Sequence, residues 1–157
     1  MLKNSKPYII SIFISVGTGV FSAFLTRGNM DIYDEIAMPP LSPPSILFPI
    51  VWTILYVLMG ISAALIYKTP LKSVQKESAL KTYAASLVVN FTWNLIFFNF
   101  RAYLLAFIWL LLLLWLVIKT IFSYLKINPL AAYLQIPYAL WVAFAGYLTV
   151  GIWLLNR

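Results

Sequence analysis

The sequence predicts an all-α integral membrane protein, built as a bundle of five transmembrane helices. Of its 157 residues 63% are hydrophobic and only 10% are charged, whereas soluble domains are about 45–50% apolar. Five apolar stretches approach or exceed the roughly 20 residues that a bilayer crossing needs. They are residues 8–25, 45–67, 83–100, 103–124 and 131–155. What remains is too short for a second domain, so we predict one membrane domain over residues 1–157.

The first stretch has features of both a signal peptide and a retained helix. Lys3 and Lys6 precede the apolar segment, as in a secretory signal. We favour a retained helix, because the apolar part is long for a signal peptide. Small residues also recur at every fourth position, which predicts a face for close packing against another helix. These residues are Ser11, Ser15, Gly19 and Ala23.

Lysine and arginine are distributed unevenly between the connections. Eight lie on the side of the amino end and three on the other side, if every stretch crosses the membrane. The positive-inside rule then places the amino end in the cytoplasm and the carboxyl end outside. Because topology accounts for the basic residues, the net charge of +7 does not indicate a nucleic-acid partner. The expected surroundings are membrane lipid.

The composition excludes several kinds of chemistry. The chain has neither cysteine nor histidine, so disulfides, thiol catalysis and the usual zinc or haem ligands are ruled out. Apart from Lys119 near the end of the fourth stretch, no acid or base lies inside a predicted span, which disfavours proton-coupled pumping and leaves no base to activate a serine or threonine. We therefore expect no metal site and no covalently bound cofactor.

The connection over residues 28–44 is long for a small bundle and has four prolines between positions 39 and 44. Proline fixes φ and removes a backbone donor, so a stiff, non-helical segment is expected. It is either a plain connection or a structured lid over the bundle. We favour the lid, since long loops in compact domains are more often functional.

Two amides, Asn90 and Asn94, lie inside the third apolar stretch. An unpaired polar group in hydrocarbon is costly, so each should face a partner or a cavity. Asn90 shares one helical stripe with three neighbours at i+3, i+4 and i+7. They are Trp93, Asn94 and Phe97. The stripe is consistent with a ligand site, and also with bonds that join two helices.

Aromatic residues form stripes in two further stretches. Phe48, Trp52 and Tyr56 lie at i, i+4 and i+8 of the second, and Tyr138 and Trp141 share a face of the fifth. Such stripes are more often ordinary packing or an interfacial belt than a ligand site. Because tryptophans occur near mid-span, a flat cavity between the stripes is the alternative interpretation.

These motifs together resemble the TspO/MBR family, which comprises the tryptophan-rich sensory proteins of bacteria and the mitochondrial translocator protein, formerly the peripheral benzodiazepine receptor. The resemblance covers the chain from about Tyr33 to Asn156. The matching residues are Pro39, Pro43-Pro44, Val51-Trp52-x-x-Leu55-Tyr56-x-x-Met59-Gly60, Asn90-x-x-Trp93, Phe97-Phe98, Arg101, Pro137-Tyr138-x-x-Trp141-x-x-Phe144, Leu148 and Asn156.

The resemblance implies a five-helix bundle with a pocket under the first loop that binds a porphyrin such as protoporphyrin IX or another flat hydrophobic ligand. The protein would be a sensor or carrier in a bacterial cell membrane, with a homodimer as an option. The implied ligand-binding residues are Tyr33, Trp52, Asn90, Trp93, Phe97, Tyr138 and Trp141. Light- and oxygen-dependent porphyrin degradation, with Trp52 and Trp141 as catalytic residues, is one alternative. A structural or interaction role is another.

The chain departs from the family pattern at several positions. Ile32 and Leu41 stand at two positions of the first loop where the family usually has aromatic residues. Trp109 stands where the fourth span usually has an acid, and Thr149 stands where the family often has an asparagine. The carboxyl-terminal sterol motif is absent, so sterol binding is not expected. From the family match, we predict that Asn90 contacts the ligand and that Asn94 joins helices or subunits.

Overall fold

The computed structural model describes residues 2–29, 31–70 and 74–157, with side chains from Asn4 onward. Within these ranges there are five long helices and no strand, which confirms the predicted fold class. Met30 of the predicted lid and Lys72 of the basic connection lie outside the described residues. The helices are α1 (Leu2–Thr26), the short α2 (Ile32–Glu35), α3 (Leu47–Lys68), α4 (Val74–Asn94), α5 (Tyr103–Leu125) and α6 (Pro129–Asn156).

Among the described residues, four segments are long and apolar enough to cross a membrane: the chain from Asn4 to Glu35, and helices α3, α5 and α6. The third long helix, α4, is more polar and begins at Val74, earlier than the predicted residue 83. Its first turns carry an exposed ion pair, Lys81–Glu77, at 3.1 Å. A π-helical turn, Leu95–Asn99, continues α4. Together they rise about 39 Å, which exceeds the roughly 30 Å of bilayer hydrocarbon.

Helices α1 and α3 pack closely through small residues. The hydroxyl of Ser15 donates a hydrogen bond of 2.6 Å to the carbonyl of Tyr56. A Cβ atom added to Gly19 would collide with the ring of Tyr56, and one added to Gly60 would lie 2.5 Å from the Cα of Ile12. Two members of the predicted small-residue face, Ser15 and Gly19, therefore lie at this contact.

The first connection is fastened to α6 at three points. The Asn156 side chain accepts a hydrogen bond from the Ala37 amide at 3.0 Å and donates one to its carbonyl at 2.9 Å. The Tyr147 hydroxyl donates to the carbonyl of Pro40 at 2.7 Å. Gly151 leaves room for Pro39, since an added Cβ would lie 2.7 Å from the proline Cβ. The proline-rich segment is thus held against the end of α6.

The other end of the connection is held by the residues that follow α4. After the π-helical turn, Arg101 takes a positive φ of 51°, a conformation that costs free energy for a non-glycine residue. Its guanidinium forms an ion pair with Glu35 of α2 at 3.1 Å. Asn99 accepts a hydrogen bond of 2.7 Å from Asn29. The short helix α2 is thereby positioned over the open end of the bundle.

Candidate functional site

A cavity of about 430 Å³ lies beneath α2, between α1, α3, α4 and α6. This volume is within the usual range for small-molecule pockets, about 300–1,000 Å³. None of the described residues that line it is charged. The cavity can therefore hold an apolar molecule without placing an unpaired charge against it.

Aromatic rings form a large part of the cavity wall. Tyr33 of α2 stacks on Phe48 of α3 with ring centroids 5.0 Å apart, and Phe48 meets Trp141 of α6 edge-on at 5.9 Å. On the α4 side, Trp93 stacks on Phe97 at 5.3 Å. The wall therefore has rings on several sides of one space.

Five of the seven predicted ligand-binding residues line this one cavity, although they come from four different helices. Helix α2 contributes one of them, α3 one, α4 with its π-helical turn two, and α6 one. They are Tyr33, Trp52, Trp93, Phe97 and Trp141.

The other two predicted residues, Asn90 and Tyr138, do not line the cavity. Both are fully buried. The Asn90 amide donates to the Tyr138 hydroxyl at 2.8 Å and accepts from the Tyr56 hydroxyl at 3.4 Å. The Tyr138 ring lies behind Trp52, with centroids 6.2 Å apart. This layer joins α3, α4 and α6 and supports the cavity from behind.

Asn94 lies in the cavity wall, where the sequence prediction placed Asn90. One helical turn rises about 5.4 Å, so Asn94 lies one turn nearer to the loop and at the level of the cavity. Its side-chain nitrogen donates to the Asn90 carbonyl at 3.0 Å. The structure thus places Asn94 in the cavity wall and Asn90 in the hydrogen-bonded layer behind it, whereas the sequence prediction assigned the ligand contact to Asn90.

Three buried polar groups of the cavity lining have no hydrogen-bond partner among the described residues. They are the hydroxyl of Ser22 and the indole nitrogens of Trp93 and Trp141. Sequence reasoning missed Ser22, although Ser15, Ser22 and Thr26 share one face of α1 at i, i+7 and i+11. All three are buried, so this polar stripe is the signal that marks the inner face of α1.

Trp109, which stands where the family usually has an acid, lies outside the cavity. Its indole nitrogen donates to the Thr92 hydroxyl at 2.8 Å and to the Val89 carbonyl at 3.1 Å. The tryptophan therefore ties α5 to α4.

The cavity opens sideways between α1 and α3. Lining residues on this side are also exposed at the outer surface, with exposed fractions of 63% for Val20 of α1 and 69% for Ile46, which immediately precedes α3. Ala23 and Thr53 are exposed lining residues of the same two helices. Because α1 and α3 touch lower down, at Ser15 and Gly60, the gap lies nearer to the loop.

Comparisons with known proteins agree with this architecture. A model of the TspO/MBR family matches residues 10–154. The chain is 32% identical to the tryptophan-rich protein TspO of Chlorobaculum tepidum, over 86% of this chain and 85% of that protein. It is 35% identical to protein CrtK of Rhodobacter capsulatus, over 79% and 78%. It is 34% identical to the translocator protein of Bos taurus, over 88% and 83%. The chain is an integral membrane protein and belongs to the TspO/MBR family.

Proposed function

We propose that the cavity binds a tetrapyrrole such as protoporphyrin IX, and that the protein acts as a membrane sensor or carrier for it. The observation that carries this proposal is the convergence of Trp52, Trp93 and Trp141 on one uncharged cavity. Indole rings stack on flat ligands and offer an N–H group at the edge. The resemblance to the TspO/MBR family points to the same ligand class.

We also propose that the cavity faces the outside of the cell membrane and that the amino end is cytoplasmic. Lys68 ends α3, Lys76 and Lys81 belong to the start of α4, and Lys126 follows α5. These lysines thus lie at the end of the bundle opposite α2 and the cavity. The positive-inside rule assigns the lysine-rich end to the cytoplasm.

A porphyrin titration tests ligand binding. Purified protein is titrated with protoporphyrin IX, and the shift of the porphyrin Soret band gives the affinity. We expect the double variant Trp52→Phe/Trp141→Phe to bind about tenfold more weakly, because two indole contacts of about 0.5–1.5 kcal/mol each are lost.

The matched control is Trp115→Phe/Trp153→Phe. Trp115 is 57% exposed on α5, and Trp153 lies beside Arg157 near the end of α6. This control should bind like the wild type. Equal affinity of both double variants and the wild type would show that the porphyrin does not occupy this cavity.

A second candidate function is light- and oxygen-dependent degradation of the bound porphyrin. Trp52 on α3 and Trp141 on α6 line the same cavity, so a bound ring can contact both. The porphyrin would absorb the light and dioxygen would be the oxidant, so no further cofactor is needed.

Illumination separates degradation from binding alone. With protein and oxygen present, the Soret band should disappear faster than for the porphyrin in detergent, and a defined product should form. The Trp52→Phe/Trp141→Phe variant, tested at a porphyrin concentration that saturates it, should lose the excess rate. Bleaching at the rate of free porphyrin would exclude this function.

A further inference from the structure

Three buried hydrogen-bond donors of the cavity lining have no partner among the described residues, and two of them come from the neighbouring helices α1 and α4. The Ser22 hydroxyl and the Trp93 indole nitrogen are buried and have no partner among the described residues. Ser22 is 2% exposed and Trp93 is 5% exposed. Buried donors are normally paired, because an unpaired one loses its bond to water without replacement. Both residues line the cavity, so a ligand can supply the missing acceptor.

Ser22 and Asn94 lie at the same height in the bundle. Helices α1 and α4 touch at Phe21 and Phe91, whose rings stack at 5.4 Å. Further along, the Asn99 side chain donates to the Leu25 carbonyl at 3.3 Å. The two helices therefore run side by side in the same direction, and these contacts bracket Ser22 on one helix and Asn94 on the other.

Asn94 adds an acceptor to the two donors. Its side-chain nitrogen is bonded to the Asn90 carbonyl at 3.0 Å. This assignment leaves the amide oxygen as the group that Asn94 can offer to the cavity. Trp93 precedes Asn94 on the same turn of α4. One side of the cavity thus carries two donors and one acceptor.

We infer that Ser22, Trp93 and Asn94 form a polar subsite for a neutral, oxygen-bearing edge of the ligand. Its chemistry is an ester or amide carbonyl, or a carboxyl group in its protonated form. The oxygen accepts from Ser22 and Trp93, and a donor on the same edge, where present, bonds to Asn94. An ionised carboxylate is disfavoured, because none of the described lining residues carries a positive charge and burying an unpaired charge is costly.

This inference rests on the proposed function and specifies which edge of the tetrapyrrole the cavity recognises. Its test compares two porphyrins of similar ring structure. Mesoporphyrin IX dimethyl ester carries two ester carbonyls, whereas etioporphyrin I carries alkyl groups only. We expect the wild type to bind the ester about tenfold more tightly, as one or two hydrogen bonds to a buried acceptor would provide.

We expect the ratio of the affinity for the dimethyl ester to the affinity for etioporphyrin I to fall when the donors are removed. Ser22→Ala and Trp93→Phe should each lower it about threefold, and the double variant should bring it close to one. The single variant Ser22→Ala carries the same test if Trp93→Phe does not fold. The affinity for etioporphyrin I should change little in the serine variant, since that ligand offers no acceptor.

Matched controls are Ser86→Ala and Trp115→Phe. Ser86 is a buried serine outside the cavity whose hydroxyl donates to the Tyr83 carbonyl at 2.6 Å, and Trp115 is exposed on α5. Both should keep the wild-type ratio. If both porphyrins bind but the ratio stays the same in the double variant, the subsite is refuted while the proposed function stands. If the wild type binds neither porphyrin, the proposed function fails and the subsite falls with it.

Discussion

We expect the Gly60→Ala variant to be strongly destabilised. A Cβ at this position would lie 2.5 Å from the Cα and 2.8 Å from the nitrogen of Ile12. These are backbone atoms, which cannot move aside as the end of a side chain can, so α1 must shift away from α3. Overpacking of this kind costs about 1–3 kcal/mol or more. For a protein of this size, a loss of about 3 kcal/mol lowers the thermal midpoint by about 10 °C.

Gly17→Ala is the control for this substitution. It introduces the same methyl group on α1, where nothing lies within 4 Å of the new Cβ. Alanine is also the better helix former, by about 1 kcal/mol. Thermal unfolding of both variants in the same detergent should show a lower midpoint for Gly60→Ala and an unchanged or higher one for Gly17→Ala. Equal midpoints would contradict the close α1–α3 contact.

The Asn90→Leu variant should lose stability and keep its affinity for the ligand. Leucine has a similar size but cannot bond to the hydroxyls of Tyr138 and Tyr56, which Asn90 contacts at 2.8 and 3.4 Å. Both phenols are buried, and each unpaired buried group costs about 1–3 kcal/mol. We expect a loss of about 2 kcal/mol in the free energy of unfolding, measured by thermal or denaturant unfolding in detergent. The affinity for protoporphyrin IX should stay within about twofold of wild type, because Asn90 lies behind the cavity wall.

Asn94→Leu is the comparison that separates the two amides. Asn94 lies in the cavity wall, and its side-chain nitrogen bonds to Asn90 one turn away. Its substitution should therefore affect the affinity more than the stability. A larger loss of affinity for Asn90→Leu than for Asn94→Leu would support the sequence prediction that Asn90 contacts the ligand. A loss of stability without any loss of affinity would support the joining of helices as the role of Asn90.

The helices were predictable because a bilayer leaves few alternatives to an apolar helix of about 20 residues. The start of α4 was not, since its first turns are polar and are stabilised in water by the Lys81–Glu77 pair. Hydropathy shows where the apolar segment begins, but it does not show whether a helix extends beyond that segment into water. The anchoring of the first loop by Asn156 joins residues 119 positions apart, which no local pattern reveals.

The sequence predicted which face of each helix lines the cavity. It predicted less well how far along each helix the cavity extends. Helical spacing places Asn90, Trp93, Asn94 and Phe97 on one stripe, and all four face the interior. The stripe does not show at which turn a cavity ends and packing begins. That boundary depends on the neighbouring helices, and here it falls between Asn90 and Asn94. The same limit explains why Ser22 was not recognised, although its face of α1 was visible in the sequence.

Because the cavity opens through the gap between α1 and α3, a measured dissociation constant depends on how much lipid or detergent is present. Val20 and Ile46 border the cavity and are exposed at the outer surface of the bundle. An apolar ring dissolves in the bilayer at a far higher concentration than in water, and it can enter the site from there. The concentration that governs occupancy is then the amount of ligand per volume of lipid. A dissociation constant that is expressed per total sample volume will therefore rise as lipid or detergent is added at a fixed protein concentration. Dissociation constants from different samples are comparable only after correction for the partitioning of the ligand into lipid or detergent.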